Sequence, residues 1–159
     1  MDKNKGFSLI EIMVVICISL LFLGASLPSY NDYASQLKLR TEAKKLMDIL
    51  ELAKKKAISS DLFDKNCSNF TGYRMSISSG DFSLKFCCIS SCSSIQDYTL
   101  NSNMTVISGA GDYDFPPLMN NLDFPSNTIR LKNSNIDKCV DISVSPLGII
   151  DLDETLISC

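Results

Sequence analysis

The sequence predicts an α+β fold: a long N-terminal α-helix, apolar in its first half and amphipathic in its second, packed on an antiparallel β-sheet domain. Three observations predict it. From Ile12 to Leu27 only Ser19, Gly24 and Ser26 interrupt an apolar run. Then Leu39, Ala43, Leu46, Leu50, Ala53 and Ala57 recur at alternating spacings of four and three, which draws one apolar stripe along a helix. From Tyr73 onward the apolar residues instead recur at every second position, the period of a half-buried strand.

The first element is expected in lipid or among other apolar helices. Phe7 to Leu27 reaches the roughly 20 residues needed to cross hydrocarbon. Lys3 and Lys5 precede it and should keep the short N-terminus in the cytoplasm, with the rest of the chain on the far side. The leader is too short for a secretory signal, and no small-x-small cleavage site follows the run, so the anchor is expected to stay. Glu11 is the exception inside it. An ionised carboxylate at a membrane helix centre costs about 2.5–3.5 kcal/mol, so it calls for a cationic partner. Phe7 lies four residues earlier, on the same helical face, and an amine exposed there would supply one.

Pro28 ends the apolar run. A proline inside a helix removes a backbone hydrogen bond and kinks it, so a bend is expected at the membrane surface, where Tyr30 and Tyr33 suit an interface with one wet side. Beyond it the helix is predicted to continue to about Ser59, with Lys38, Arg40, Glu42, Lys44, Lys45, Asp48, Glu51 and Lys54 to Lys56 on the faces away from the stripe. The basic residues at its end complement the helix dipole.

In the remainder, Tyr73, Met75 and Ile77 alternate with polar residues, Ser78-Ser79-Gly80-Asp81 supplies a turn, and Phe82, Leu84 and Phe86 alternate again, which predicts a hairpin with one buried face. Further strands are predicted over Tyr98–Leu100, Met104–Ile107, Thr128–Lys132, Cys139–Val144 and Gly148–Leu152. Gly109-Ala110-Gly111-Asp112 and Phe115-Pro116-Pro117 read as loop.

Taken together, Lys5-Gly6-Phe7-Ser8-Leu9-Ile10-Glu11 and the apolar run after it resemble the signal of type IV prepilins and type II secretion pseudopilins. The resemblance implies the pilin fold and four segments: a leader over 1–6, a transmembrane and assembly helix over 7–28, an amphipathic helix over 29–59, and a disulfide-stapled β-rich domain over 60–159. It implies cleavage between Gly6 and Phe7 by a prepilin peptidase that also methylates the Phe7 amine. It gives Glu11 the role of neutralising a neighbour's amine and so setting axial register, and it places a proline where Pro28 stands. The implied partners are other pilin or pseudopilin subunits, the peptidase, an inner-membrane assembly platform and lipid. The implied location is a single-pass inner-membrane protein with its C-terminal domain outside the cytoplasm, fibre-associated after assembly.

A second resemblance lies near the C-terminus. Phe124-Pro125-Ser126-Asn127, Ile129-Arg130-Leu131 and Val140 to Gly148 are similar to the end of minor pilins and pseudopilins of the FimT and GspH type, which carry two sheets on the long helix. That group turns its last hairpin at a glycine followed by arginine; here Ile149 follows Gly148. Some of those proteins bind DNA through basic residues in this region, but Asp151, Asp153 and Glu154 would repel a phosphate backbone, so DNA is not expected as a partner. Arg130, Lys132 and Lys138 are the residues from which a small basic patch could still be made.

Charge and composition narrow the chemistry. The chain has 15 basic and 18 acidic residues; removing Met1–Gly6 takes away Lys3, Lys5 and Asp2 and leaves a net charge of −4, which does not favour a polyanion. There is no histidine, so neither a Ser-His-Asp nor a Cys-His nucleophile can be built. The expectation is a structural subunit rather than an enzyme, with no cofactor and no metal. Of seven cysteines, Cys17 lies in the apolar run, while Cys67, Cys87, Cys88, Cys92, Cys139 and Cys159 lie in the exported part. In an oxidising compartment six thiols read as disulfides rather than as a four-thiolate zinc site, with 15 pairings open. Cys87 and Cys88, adjacent in a strand, should bond to different partners. Cys159 should staple the tail, with Cys139 one candidate partner. Asp112 with Asp114, and Asp151 with Asp153 and Glu154, offer the oxygens that calcium takes, but acidic turn residues of this kind are ordinarily solvated.

Overall fold

The computed structural model describes residues 8–62, 67, 69–89, 91–118 and 124–159, without the side chains of residues 23–29. Helix α1 runs from Leu9 to Ile58 and eight strands follow: β1 Phe70–Ile77, β2 Asp81–Cys88, β3 Ser91–Thr99, β4 Met104–Ser108, β5 Gly111–Phe115, β6 Thr128–Asn133, β7 Lys138–Val144 and β8 Ile150–Ser158. The fold is α+β, as the periodicities predict. The chain divides into two units, Met1–Ala34 and Ser35–Cys159.

The second unit holds the core. Leu39, Ala43, Leu46, Leu50, Ala53 and Ala57 are all fully buried and belong to one cluster with the inward residues of the strands. Those strands form two antiparallel sheets of four, in the orders β3-β2-β1-β5 and β4-β6-β7-β8. Tyr73, Met75 and Ile77 face Phe86, Leu84 and Phe82 in register, so the predicted hairpin forms with its turn at Ser78–Gly80. In the second sheet Ile129 and Leu131 lie opposite Ile142 and Val140. Polar contacts fix the helix against both sheets. Lys45 lies over the rings of Phe82 and Tyr98, Lys54 Nζ donates to the Gly148 carbonyl at 2.6 Å, and Asn133 Nδ2 donates to the Ser35 carbonyl at 3.2 Å.

Three boundaries differ from the sequence reading. Strand β3 is nine residues rather than the short Tyr98–Leu100 segment, because Ser91 to Asp97 sits on the outer edge of its sheet and has no buried face to write an alternation. Gly111 to Phe115, expected as loop, is β5, with Tyr113 and Phe115 buried and paired to β1. The glycines before it serve another purpose. At Gly109 the chain crosses from one sheet to the other with φ +80, and a Cβ there would stand 2.4 Å from the Thr128 carbonyl oxygen. At Gly111 a Cβ would meet the Pro125 ring at 2.8 Å. Finally, β8 begins at Ile150 and continues to Ser158, six residues past the predicted end.

Candidate functional site

The surface that stands out is the start of α1. Helical backbone begins after Ser8, whose carbonyl accepts from the amides of Glu11 at 3.0 Å and Ile12 at 3.3 Å. Glu11 therefore falls in the first turn, where the unpaired amides favour a carboxylate. Around it the apolar side chains are open: Leu9 is 78% exposed, Ile10 69%, Leu21 75% and Phe22 75%, with Ile12 to Leu20 between them also exposed. Ser19 returns its hydroxyl proton to the Val15 carbonyl at 2.8 Å, so even the polar residue presents little to water. Such a surface is far larger than a lone soluble chain leaves open and marks a contact with lipid or with other helices. Cys17, on the same stretch, is a free thiol.

The cleavage site read from the sequence, Gly6 and Phe7, lies outside the described residues, as do the leader lysines. Helical assignment continues through Pro28, but its side chain lies outside them too. Among the described residues no helix is long and apolar enough to cross a membrane. The apolar run as written in the sequence extends to Leu27, and its described side chains stop at Phe22.

In the second unit six cysteines form three disulfides. Cys67 bonds to Cys88, Cys87 to Cys92, and Cys139 to Cys159. Adjacent Cys87 and Cys88 thus take separate partners. Cys87 and Cys92 are direct register partners of β2 and β3, and Cys159 is tied to β7 just beyond the end of β8. The two longest strands are both outer strands of their sheets, both poorly buried, and each is bolted to its inner neighbour by one bridge.

The charged clusters flagged by sequence are mostly satisfied internally. Arg74 holds Asp114 through two hydrogen bonds of 2.6 and 2.9 Å and reaches Asp112 at 3.3 Å, while Ser76 donates to Asp112 at 2.6 Å. The hydrogen bond to Asp114 raises the Arg74 pKa, and the carboxylate pair is occupied by a guanidinium rather than open to a cation. Arg130 grips Asp141 at 2.7 Å through two nitrogens, Lys132 meets Asp137 at 2.5 Å, and Lys138 donates to Ser158 at 3.3 Å. Arg130 and Lys132 of the candidate basic patch are therefore neutralised by carboxylates, while Lys138 meets only a hydroxyl. Its bond to Lys132 holds the Asp137 carboxyl below the usual range.

Asp151, Asp153 and Glu154 are exposed on β8. Asp153 accepts from the hydroxyl and the amide of Thr155, which lowers its pKa, and none of the three meets a cation among the described residues. Sequence reasoning read these three as a tail that repels phosphate and as oxygens of the kind that calcium takes. Among the described residues no group of three or more acidic or cysteine side chains is arranged to hold a metal.

Comparison with known proteins adds one finding. The family model described as prokaryotic N-terminal methylation motif matches residues 1–27. No curated protein and no solved structure is significantly similar to the chain.

Proposed function

We propose, from the premise that this chain carries the N-terminal methylation signature of type IV prepilins and pseudopilins, that it is a structural subunit assembled through its N-terminal helix. The observation that carries this reading is the coincidence of the motif with a helix start whose apolar side chains are exposed on every side. In the proposed sequence of events the peptidase cuts after Gly6 and methylates Phe7. The segment 7–28 holds the chain in the inner membrane and then becomes part of a fibre core, with a bend at Pro28. Glu11 of an incoming copy meets the amine of a neighbour, which removes the cost of a lone carboxylate in an apolar surround and fixes axial position. The disulfide-braced domain, 60–159, remains outside the cytoplasm.

Two sheets on the helix support placement with the minor pilins and pseudopilins of the FimT and GspH type, while Ile149 in place of arginine after the turn glycine sets the chain apart from their usual pattern. A role in binding DNA through Arg130, Lys132 and Lys138 has no support, since all three are engaged within the domain.

Replacing Glu11 by alanine in the native host tests the reading. The variant should reach the membrane and be cut normally yet be depleted from sheared fibres; normal incorporation would remove the register role from Glu11.

A further inference from the structure

Outer strands β3 and β8 are each bridged to an inner neighbour, but the bridge in β3 holds a stretch that packing does not. From Ser91 to Ser94 every side chain is exposed, whereas Ile95 and Tyr98 pack against the core and the Tyr98 ring stacks on Phe82 at 5.0 Å. A bulge separates the two stretches: Leu84 pairs with Gln96 and Lys85 with Ser94, which leaves Ile95 without a register partner. What ties Ser91–Ser94 to β2 is therefore the ladder and the Cys87–Cys92 bridge, and Cys92 is itself exposed. The other two bridges have more support. Cys67 and Cys88 are both partly buried and packed against the core. Cys139 is fully buried, and β8, which leads to Cys159, also lays Leu152 and Leu156 against the core. If that bridge opens, the packed strand keeps its two thiols together and the bond reforms.

We propose that Cys87–Cys92 is a redox-active bridge, opened by a dithiol reductant in preference to the other two, and that its state decides whether the first half of β3 stays on its sheet. A thiolate of the reductant attacks Sγ of Cys92, the S–S bond breaks, and its electron pair leaves on Cys87, which takes a proton. The second thiol of the reductant then attacks the reductant's own sulfur in the mixed disulfide. Cys92 leaves as a thiol and the reductant becomes a disulfide. Two factors select this bridge. Exchange needs access to the attacked sulfur, and exposed bridges are the more reducible ones. Resistance also depends on how closely the fold holds the freed thiols, and a stretch with no buried side chain frays once it is cut. Cys159 is exposed as well, so access alone does not choose; the packing of β8 does. Opening uncovers the β2 backbone from Lys85 to Cys88, so one sheet edge is closed in the oxidised chain and open in the reduced one. The device uses no residue of the N-terminal helix and goes beyond that helix's role in assembly.

The test titrates the full-length chain in detergent with dithiothreitol, quenches with an alkylating reagent and maps the modified cysteines by peptide mass. Cys17, already a free thiol, is alkylated throughout and serves as the internal control. Cys87 and Cys92 should be half-alkylated at about tenfold less reductant than either other pair, a difference of about 30 mV. Hydrogen exchange of this partly reduced chain should show Ser91–Ser94 losing protection while Tyr98 and the stripe from Leu39 to Ala57 keep theirs. The double variant Cys87→Ser, Cys92→Ser should give the same exchange pattern without reductant, with the other two bridges intact by mass. First opening at another pair, or all three pairs opening together, would overturn the proposal. So would retained protection over Ser91–Ser94 in the opened chain, since the bridge would then hold nothing that the ladder does not.

Discussion

The first and second halves of α1 are made of similar apolar residues and treated in opposite ways. Leu9 to Phe22 are apolar on all sides and exposed, whereas Leu39, Leu46 and Leu50 occupy a single stripe and are fully buried. The difference lies in the pattern rather than in hydrophobicity. A stripe can be covered by one partner, and the two sheets of the domain cover it; a helix apolar all round needs a surrounding medium of lipid or other helices. One continuous secondary-structure element thus carries two kinds of contact, one that folds the domain and one that the domain leaves for others.

The sharpest way to break the comparison is to truncate one residue in each part. Leu50→Ala should cost the domain about 3–5 kcal/mol, as a buried leucine exchanged for a cavity does, read as the shift in its urea transition in detergent. Leu20→Ala, at the other end of the contrast, should leave that transition within about 0.5 kcal/mol and act only on incorporation into fibres. Equal effects on folding would mean that the two parts are not functionally distinct.

Next in size are the bridges. Removing Cys139–Cys159 with paired serines should cost about 3 kcal/mol, and removing Cys87–Cys92 about 2 kcal/mol, because sequence separations of 20 and 5 constrain the unfolded chain to different extents. Hydrogen exchange should show the loss confined first to β8 in one case and β3 in the other, with the helix stripe protected until global unfolding.

How far this was legible beforehand depends on whether a residue's partner is local. The stripe from Leu39 to Ala57 and the Tyr73–Phe86 hairpin are local periodicities, and the sequence displays them directly. Strand β3 was hidden because its Ser91–Asp97 stretch is held by the edge of β2 and a disulfide, not by a buried face of its own. Strand β5 was hidden because Gly109 and Gly111 look like punctuation; they are glycine because a neighbouring carbonyl and a proline ring come too close for any side chain. Glu11 was legible as an anomaly in an apolar run, while the grip of Arg74 on Asp112 and Asp114 emerges only once β1 and β5 are seen side by side.

A smaller effect tests the core where β5 closes the first sheet. Burial pushes the Tyr113 hydroxyl up to about 12, from an ordinary value of 10.0, and it donates to the Gly109 carbonyl at 2.8 Å. The folded chain keeps this proton where the unfolded chain loses it. Its contribution is therefore complete below pH 10 and falls away as the pH rises toward 12, by about 2–3 kcal/mol. Tyr113→Phe should flatten part of that alkaline decline in chemical-denaturation midpoints measured across this range. A remainder should persist from Tyr73 and Tyr98, whose values burial also raises.

The central claim, that the exposed start of α1 is a processed assembly helix leading into an exported domain, is tested most directly by intact and peptide-level mass of the protein extracted from its host membranes without reductant. The account predicts a chain that begins at N-methylated Phe7 and is lighter by two hydrogens for each of its three bridges. A chain that begins at Met1 with every thiol free would contradict it.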